Sequence, residues 1–216
     1  MCIRTPSGHA DAGRARTRPA AARGPSATFF FKNIWQSAIR NLQSAIRRPA
    51  AAGTKITANG LHVLDDKKLQ FLKDILLKEF YYYAWDTMKY TNNDFEITTS
   101  WFTQVKPTKD SQFHNHNNCF ISGILYLQTI SDSGDIIFQN FENKRFDLVP
   151  SEYNIHNSRE WIYKPQNGLL LLFPSELYHK VKENKSKHLR HSLAFNFMPT
   201  GVLGDKRKDS HAILKS

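Results

Sequence analysis

Phe113-His114-Asn115-His116-Asn117-Asn118-Cys119-Phe120-Ile121-Ser122-Gly123-Ile124-Leu125-Tyr126-Leu127-Gln128 carries the two signals on which the reading of this chain turns. Its second half, Phe120–Gln128, is an apolar run of strand length, rich in aromatic and β-branched residues. Asn117-Asn118, just ahead of it, is turn chemistry. Its first half, Phe113–Asn115, reads as a short strand that ends in the densest polar cluster of the chain. Side chains alternate across a strand, so His114 and His116 leave on the same side, roughly 7 Å apart along it. Two imidazoles so placed can converge on one metal ion.

Outward from this stretch the β pattern repeats. Short runs lie at Glu96–Val105, Asp135–Gln139, Arg145–Val149, Trp161–Tyr163, Leu169–Phe173, Lys180–Lys182 and Ser192–Phe197. Turn-forming residues separate them at Pro107, Ser131–Gly134, Pro150, Pro165–Gly168 and Asn184–Lys187. Many short strands at this spacing predict a mainly β sandwich or barrel. There is no βαβ alternation and no Gly-rich phosphate loop. Upstream, residues 65–82 read as a helix. Asp65 and Asp66 stand at its start, where the helix dipole favours negative charge, and Leu69, Phe71, Leu72, Ile75, Leu76 and Phe80 give it a broad apolar face able to cover a sheet.

The net charge of +11 suggests nucleic acid until it is located. Residues 1–56 hold ten Lys/Arg and one acidic residue, Asp11, while the remaining 160 residues hold 20 basic and 18 acidic, a balance of only +2. The folded body therefore lacks the clustered basic surface that phosphate binding needs, which argues against nucleic acid as a partner. The leader, rich in Arg, Ala, Pro, Gly and Ser, reads as largely disordered, with a short amphipathic helix around the echo Gln36-Ser-Ala-Ile-Arg40 and Gln43-Ser-Ala-Ile-Arg47. Its composition also looks like an organelle transit peptide, with a dispensable variable tail as the other reading. The expected division is leader 1–56, β domain 57–200 and a C-terminal tail 201–216. No apolar run reaches the roughly 18 residues of a membrane-spanning helix. Two cysteines, Cys2 and Cys119, make no disulfide framework, so a reducing compartment, the cytoplasm, is expected.

A third metal ligand must come from elsewhere. Pro174-Ser175-Glu176-Leu177-Tyr178-His179 follows the apolar run Leu169–Phe173, which puts His179 just past a buried strand. Farther on, Arg190-His191-Ser192 opens another strand, and alternation sets Arg190 and Ser192 on one face with His191 on the other. A guanidinium beside a hydroxyl suits a carboxylate, because the fork offers paired, charge-assisted hydrogen bonds.

The ordered set His114-x-His116, Ser122-Gly123-Ile124-Leu125-Tyr126-Leu127, Ser133-Gly134-Asp135-Ile136-Ile137-Phe138, Leu171-Leu172-Phe173-Pro174-Ser175…His179 and Arg190-x-Ser192 resembles the Fe(II)/2-oxoglutarate oxygenase superfamily. More narrowly, it is similar to an oxygenase family common in bacteria and marine phages. The resemblance covers about residues 96–198. It implies a double-stranded β-helix (jelly-roll, cupin-like) fold with one or two flanking N-terminal helices. It also implies Fe(II) and 2-oxoglutarate as cofactors, ascorbate as a candidate reductant, and O2 as co-substrate. His114 then matches the first iron ligand and His179 the distal one. Arg190, with Ser192 beside it, matches the residue that pairs with the far carboxylate of 2-oxoglutarate, and Tyr126 matches a residue that hydrogen-bonds the same carboxylate. The strand at Asp135–Phe138 matches a structural one.

One departure is plain. The superfamily usually has His-x-Asp or His-x-Glu, completing a face of two histidines and one carboxylate. Here the position is His116, which gives a three-histidine site if it is a ligand. The alternatives are two histidines with water, a shifted register His116-x-Asn118, or a carboxylate from Asp135. The expected activity is hydroxylation of a protein side chain, prolyl among them, or of a small molecule. Two rival classes stay open: a cupin-like metal enzyme that does not use 2-oxoglutarate, and an inactive jelly-roll binding module.

Overall fold

A computed structural model describes residues 60–90, 93–139, 149–154, 157–205 and 207–214, together with the backbone of two short strands at 28–30 and 55–56. Ten strands form two antiparallel sheets. The large sheet runs β1 (Thr28–Phe30), β7 (Leu169–Pro174), β4 (Ile121–Gln128), β9 (Arg190–Leu203), β3 (Asp94–Val105), β2 (Lys55–Ile56), with β10 (Ala212–Leu214) also paired to β9. The small sheet runs β6 (Glu160–Tyr163), β5 (Ile136–Gln139), β8 (Tyr178–Val181). His114 adds a bridge to the free side of β8, exchanging both backbone hydrogen bonds with His179 at 3.0 and 2.9 Å. This is the double-stranded β-helix expected from the sequence.

Alternation along the central strands divides the core in two. Leu193, Phe195 and Phe197 of β9, Ile121, Leu125 and Leu127 of β4, and Leu170 and Leu172 of β7 point outward, under helix α1 (Gln70–Tyr81). From α1 come Leu72, Leu76 and Phe80, the last stacked on Phe197 with ring centroids 3.8 Å apart. Gly123 is needed in this layer because a Cβ there would lie 2.3 Å from the Phe195 ring. Leu169, Leu171 and Phe173 point the other way and meet Ile136 and Phe138 of the small sheet. The same inward face, farther along β4, β9 and β3, lines the cavity described below.

Several boundaries differ from the sequence reading. The helix begins at Gln70, not at residue 65, because two 3-10 turns, Val63–Asp65 and Lys67–Leu69, precede it. Asp66 caps the second turn by accepting from the Lys68 amide, and Asp65 pairs with Lys73 instead of capping. The helix then runs on as a π turn over Tyr82–Thr87. The expected strand at Phe113–Asn115 reduces to the single bridge at His114. β9 continues to Leu203, with Gly201 in the strand and Gly204 just past it both at positive φ, and β10 returns to pair with it, Ala212 opposite Leu203 and Leu214 opposite Gly201, where a tail was expected. Thr28–Phe30, from the leader, pairs with Leu169–Leu171. The amphipathic helix around residues 36–47 and most of the run Arg145–Val149 lie outside the described residues. No described helix is long and apolar enough to cross a membrane.

Candidate active site

His114 and His179 are directly opposed partners in an antiparallel pair, so their side chains leave on one face and their ring centroids lie 4.4 Å apart. His116, two residues on, brings its ring to 5.5 Å from His114 and 5.1 Å from His179. The candidate ligand atoms of the three rings all lie within 4.8 Å of one another. His179, expected just past the buried strand Leu169–Phe173, is a strand residue of β8, and it packs against Phe138 and Phe173.

Hydrogen bonding sets the chemistry of these rings. His114 Nδ1 lies 2.9 Å from the Gln112 carbonyl, and His179 Nδ1 lies 2.9 Å from the Leu177 carbonyl. A carbonyl only accepts, so both Nδ1 atoms carry the proton and Nε2 carries the lone pair that a metal would take. His116 Nδ1 lies 2.8 Å from Ser122 Oγ and 3.0 Å from Asn196 Oδ1. Burial pushes the His179 imidazole down to about 4, so it is neutral and ready to ligate across the physiological range.

The three histidines line a cavity of about 180 Å³ together with Tyr126, Arg190 and Ser192. Register explains the grouping. Tyr126, Ser192 and Thr103 are cross-strand neighbours on β4, β9 and β3, and Arg190 lies two residues along the same face of β9. Exposed His114, Lys109 and Asp110 mark the mouth, and buried Tyr126 and Arg190 mark the depth. His191 faces away, as expected, between Gln104 at 2.9 Å and Gln128 at 3.2 Å.

Arg190 is 2 % exposed, yet among the described residues no carboxylate pairs with it. Its Nη1 donates to the carbonyls of Gly134 (2.9 Å) and Ser133 (3.4 Å), and its Nε–H has no partner. The Tyr126 hydroxyl, also fully buried, has none either; burial raises its pKa to about 12, so it is a donor at neutral pH. A buried cation without an anion is costly, as is a buried hydroxyl without an acceptor. One ligand carboxylate, such as the far carboxylate of 2-oxoglutarate, would relieve both costs. Asp135 is not part of this site: its carboxylate lies 3.7 Å from Lys182 and faces a separate groove.

A family model described as "Putative 2OG-Fe(II) oxygenase" matches residues 99–196, the span from mid-β3 to Asn196 that holds every group just named. Over that span the chain is similar to the Fe(II)/2-oxoglutarate oxygenases. That family implies Fe(II) and 2-oxoglutarate as cofactors, with O2 as co-substrate. Comparison with solved structures gives the fold. The non-haem α-ketoglutarate-dependent carbocyclase SnoK from nogalamycin biosynthesis matches with TM-score 0.52 at 10 % identity, covering 78 % of this chain and 79 % of that one. AviO1 from Streptomyces viridochromogenes matches at 0.51 and 10 %, covering 75 % and 84 %. A Trichoplax adhaerens prolyl hydroxylase, solved with a peptide fragment of hypoxia inducible factor, matches at 0.50 and 14 %, covering 76 % of each chain. No curated protein matches the oxygenase.

The sequence reading missed Ser122, Ser175 and Asn196 as groups around the metal cluster. Asn196 could have been found, since it continues the inward series Arg190, Ser192, Ala194 as the polar member of an apolar strand end. Cys119 is partly exposed and donates to the Asn117 carbonyl.

Proposed function

We propose that this oxygenase hydroxylates a side chain presented by a larger molecule, a peptidyl proline first among the candidates, and that His114, His116 and His179 hold its iron. The observation that carries the reading is the cavity itself: three ligand-competent histidines near its mouth and an unpaired buried guanidinium and phenol at its depth. When bound, Fe(II) and 2-oxoglutarate supply O2 activation coupled to oxidative decarboxylation of the cosubstrate to succinate and CO2. The residues of the chain provide position. Arg190 and Tyr126 take the far carboxylate by charge-assisted hydrogen bonds, with Ser192 beside them. That fixes which end of the cosubstrate faces the histidines and leaves the substrate to enter over His114. Apolar Trp101, Ile124, Val181 and Ala194 line the space between and exclude water.

Size supports a substrate that enters by one group. The cavity of about 180 Å³ is small beside the roughly 300–1,000 Å³ of sites that engulf whole ligands. With a dicarboxylate seated on Arg190, room remains for a side chain rather than a whole metabolite. The test is succinate production with Fe(II) and 2-oxoglutarate, read by NMR, with either a proline-rich peptide library or a pool of small metabolites added. Stimulation by peptides with a 16-Da gain on one residue is expected. Stimulation by the metabolite pool alone would overturn the side-chain assignment.

A further inference from the structure

We infer that Asn196 and Ser122 are positioning residues that set the tautomer and aim of His116, so that a neutral imidazole can fill the place where a carboxylate usually completes the metal face. The inference rests on the metal-site reading above. Asn196 is 5 % exposed, and Ser122 and Ser175 are fully buried. Three polar side chains are thus buried in or beside a sheet whose nearby residues include Ala194, Phe195, Phe197 and Phe173, at a cost justified only if they are satisfied.

Proton bookkeeping gives the network one direction. Asn196 Nδ2 donates to Thr99 Oγ1 at 2.9 Å, which turns Oδ1 toward His116 and Ser122. Ser122 Oγ donates its single proton to that Oδ1 at 2.8 Å. Ser122 can then only accept from its other neighbours, Ser175 Oγ at 2.9 Å and His116 Nδ1 at 2.8 Å. His116 Nδ1 therefore faces two acceptors, Ser122 Oγ and Asn196 Oδ1, and must carry a proton. Its lone pair is on Nε2, as in His114 and His179.

Register makes the arrangement rigid. Thr99, Asn196 and Ser122 are cross-strand partners on β3, β9 and β4, so the network is one row of the large sheet. The His116 amide donates to the Ser175 carbonyl at 2.9 Å, which ties its backbone to the same network. His116 is thus held at both backbone and ring, on the opposite sheet from the pair His114–His179.

The test is Co(II) binding to the whole protein at pH 8, followed by visible d–d absorption, in wild type, His114→Ala, Asn196→Leu and Asn196→Asp. Loss of a group that orients a ligating histidine weakens metal binding by about 10- to 100-fold. Asn196→Leu should show that loss and an altered d–d band, with wild-type secondary structure by circular dichroism. Asn196→Asp should restore affinity to wild type or better, because an aspartate can only accept the Nδ1 proton. A defect of packing alone would not be rescued by the charged variant. Wild-type affinity and spectrum in Asn196→Leu would overturn this inference and leave the metal site standing. Failure of wild type to bind Co(II), or binding unchanged in His114→Ala, would remove the metal-site reading and this inference with it.

Discussion

Tyr126→Phe should make the protein more stable and its cosubstrate weaker, two effects of opposite sign from one oxygen atom. The Tyr126 hydroxyl is fully buried and has no hydrogen-bond partner among the described residues. An unsatisfied buried hydroxyl costs roughly 1–3 kcal/mol, and phenylalanine fills the same space without it. The apoprotein should gain about 1 kcal/mol or more, which for a chain of this size raises Tm by roughly 2–4 °C per kcal/mol. With 2-oxoglutarate bound, the same hydroxyl donates to a carboxylate, and a hydrogen bond to a charged group contributes about 1.5–3 kcal/mol. The variant should therefore bind 2-oxoglutarate roughly ten- to a hundredfold more weakly. Thermal melts with and without 2-oxoglutarate, under nitrogen with Fe(II), read both effects. A lower apo Tm together with unchanged cosubstrate affinity would refute the reasoning, because it would mean the hydroxyl is satisfied within the protein.

Two further outcomes follow from the same cavity. Gly134→Ala should cost about 3 kcal/mol or more in urea unfolding, since Gly134 has φ +93° and an added Cβ would lie 2.2 Å from the Lys182 carbonyl. The same change should weaken 2-oxoglutarate binding, because the Gly134 carbonyl seats Arg190. The metal-free protein should lose stability as pH falls from about 6.5 toward 4. His179 is held neutral to about 4 when folded, whereas the unfolded imidazole takes up its proton near 6.5. The unfolded state binds more protons in that window, which removes about 3 kcal/mol by its lower end. His179→Leu should flatten that part of the urea-midpoint profile, and an equally steep profile in the variant would assign the loss to other groups.

The parts of this molecule that were legible in the sequence are those set by local pattern. Strand alternation put His114 with His116 and Arg190 with Ser192, and turn residues separated the strands. What alternation along one strand cannot give is which strands are neighbours. Tyr126 meets Ser192, and His114 meets His179, only through pairings β4–β9 and His114–β8, across 66 and 65 residues of sequence respectively. The Asn196 network was missed for the same reason, since Thr99, Ser122, Ser175 and Asn196 come together from four separate stretches. The helix start was misplaced because Asp65 and Asp66 are good capping residues, but Asp66 caps a 3-10 turn and Asp65 pairs with Lys73, in a stretch that fits Val63 and Leu64 into the core.

The central claim is that one cavity binds Fe(II) through three histidines and 2-oxoglutarate through Arg190. Anaerobic titration of the protein with Fe(II) and then 2-oxoglutarate, watched for the weak visible metal-to-ligand charge-transfer band, tests it most directly. A band is expected in wild type that is lost in His179→Ala and weakened in Arg190→Ala. No band in wild type at saturating Fe(II) and 2-oxoglutarate, or an undiminished band in both variants, would contradict it.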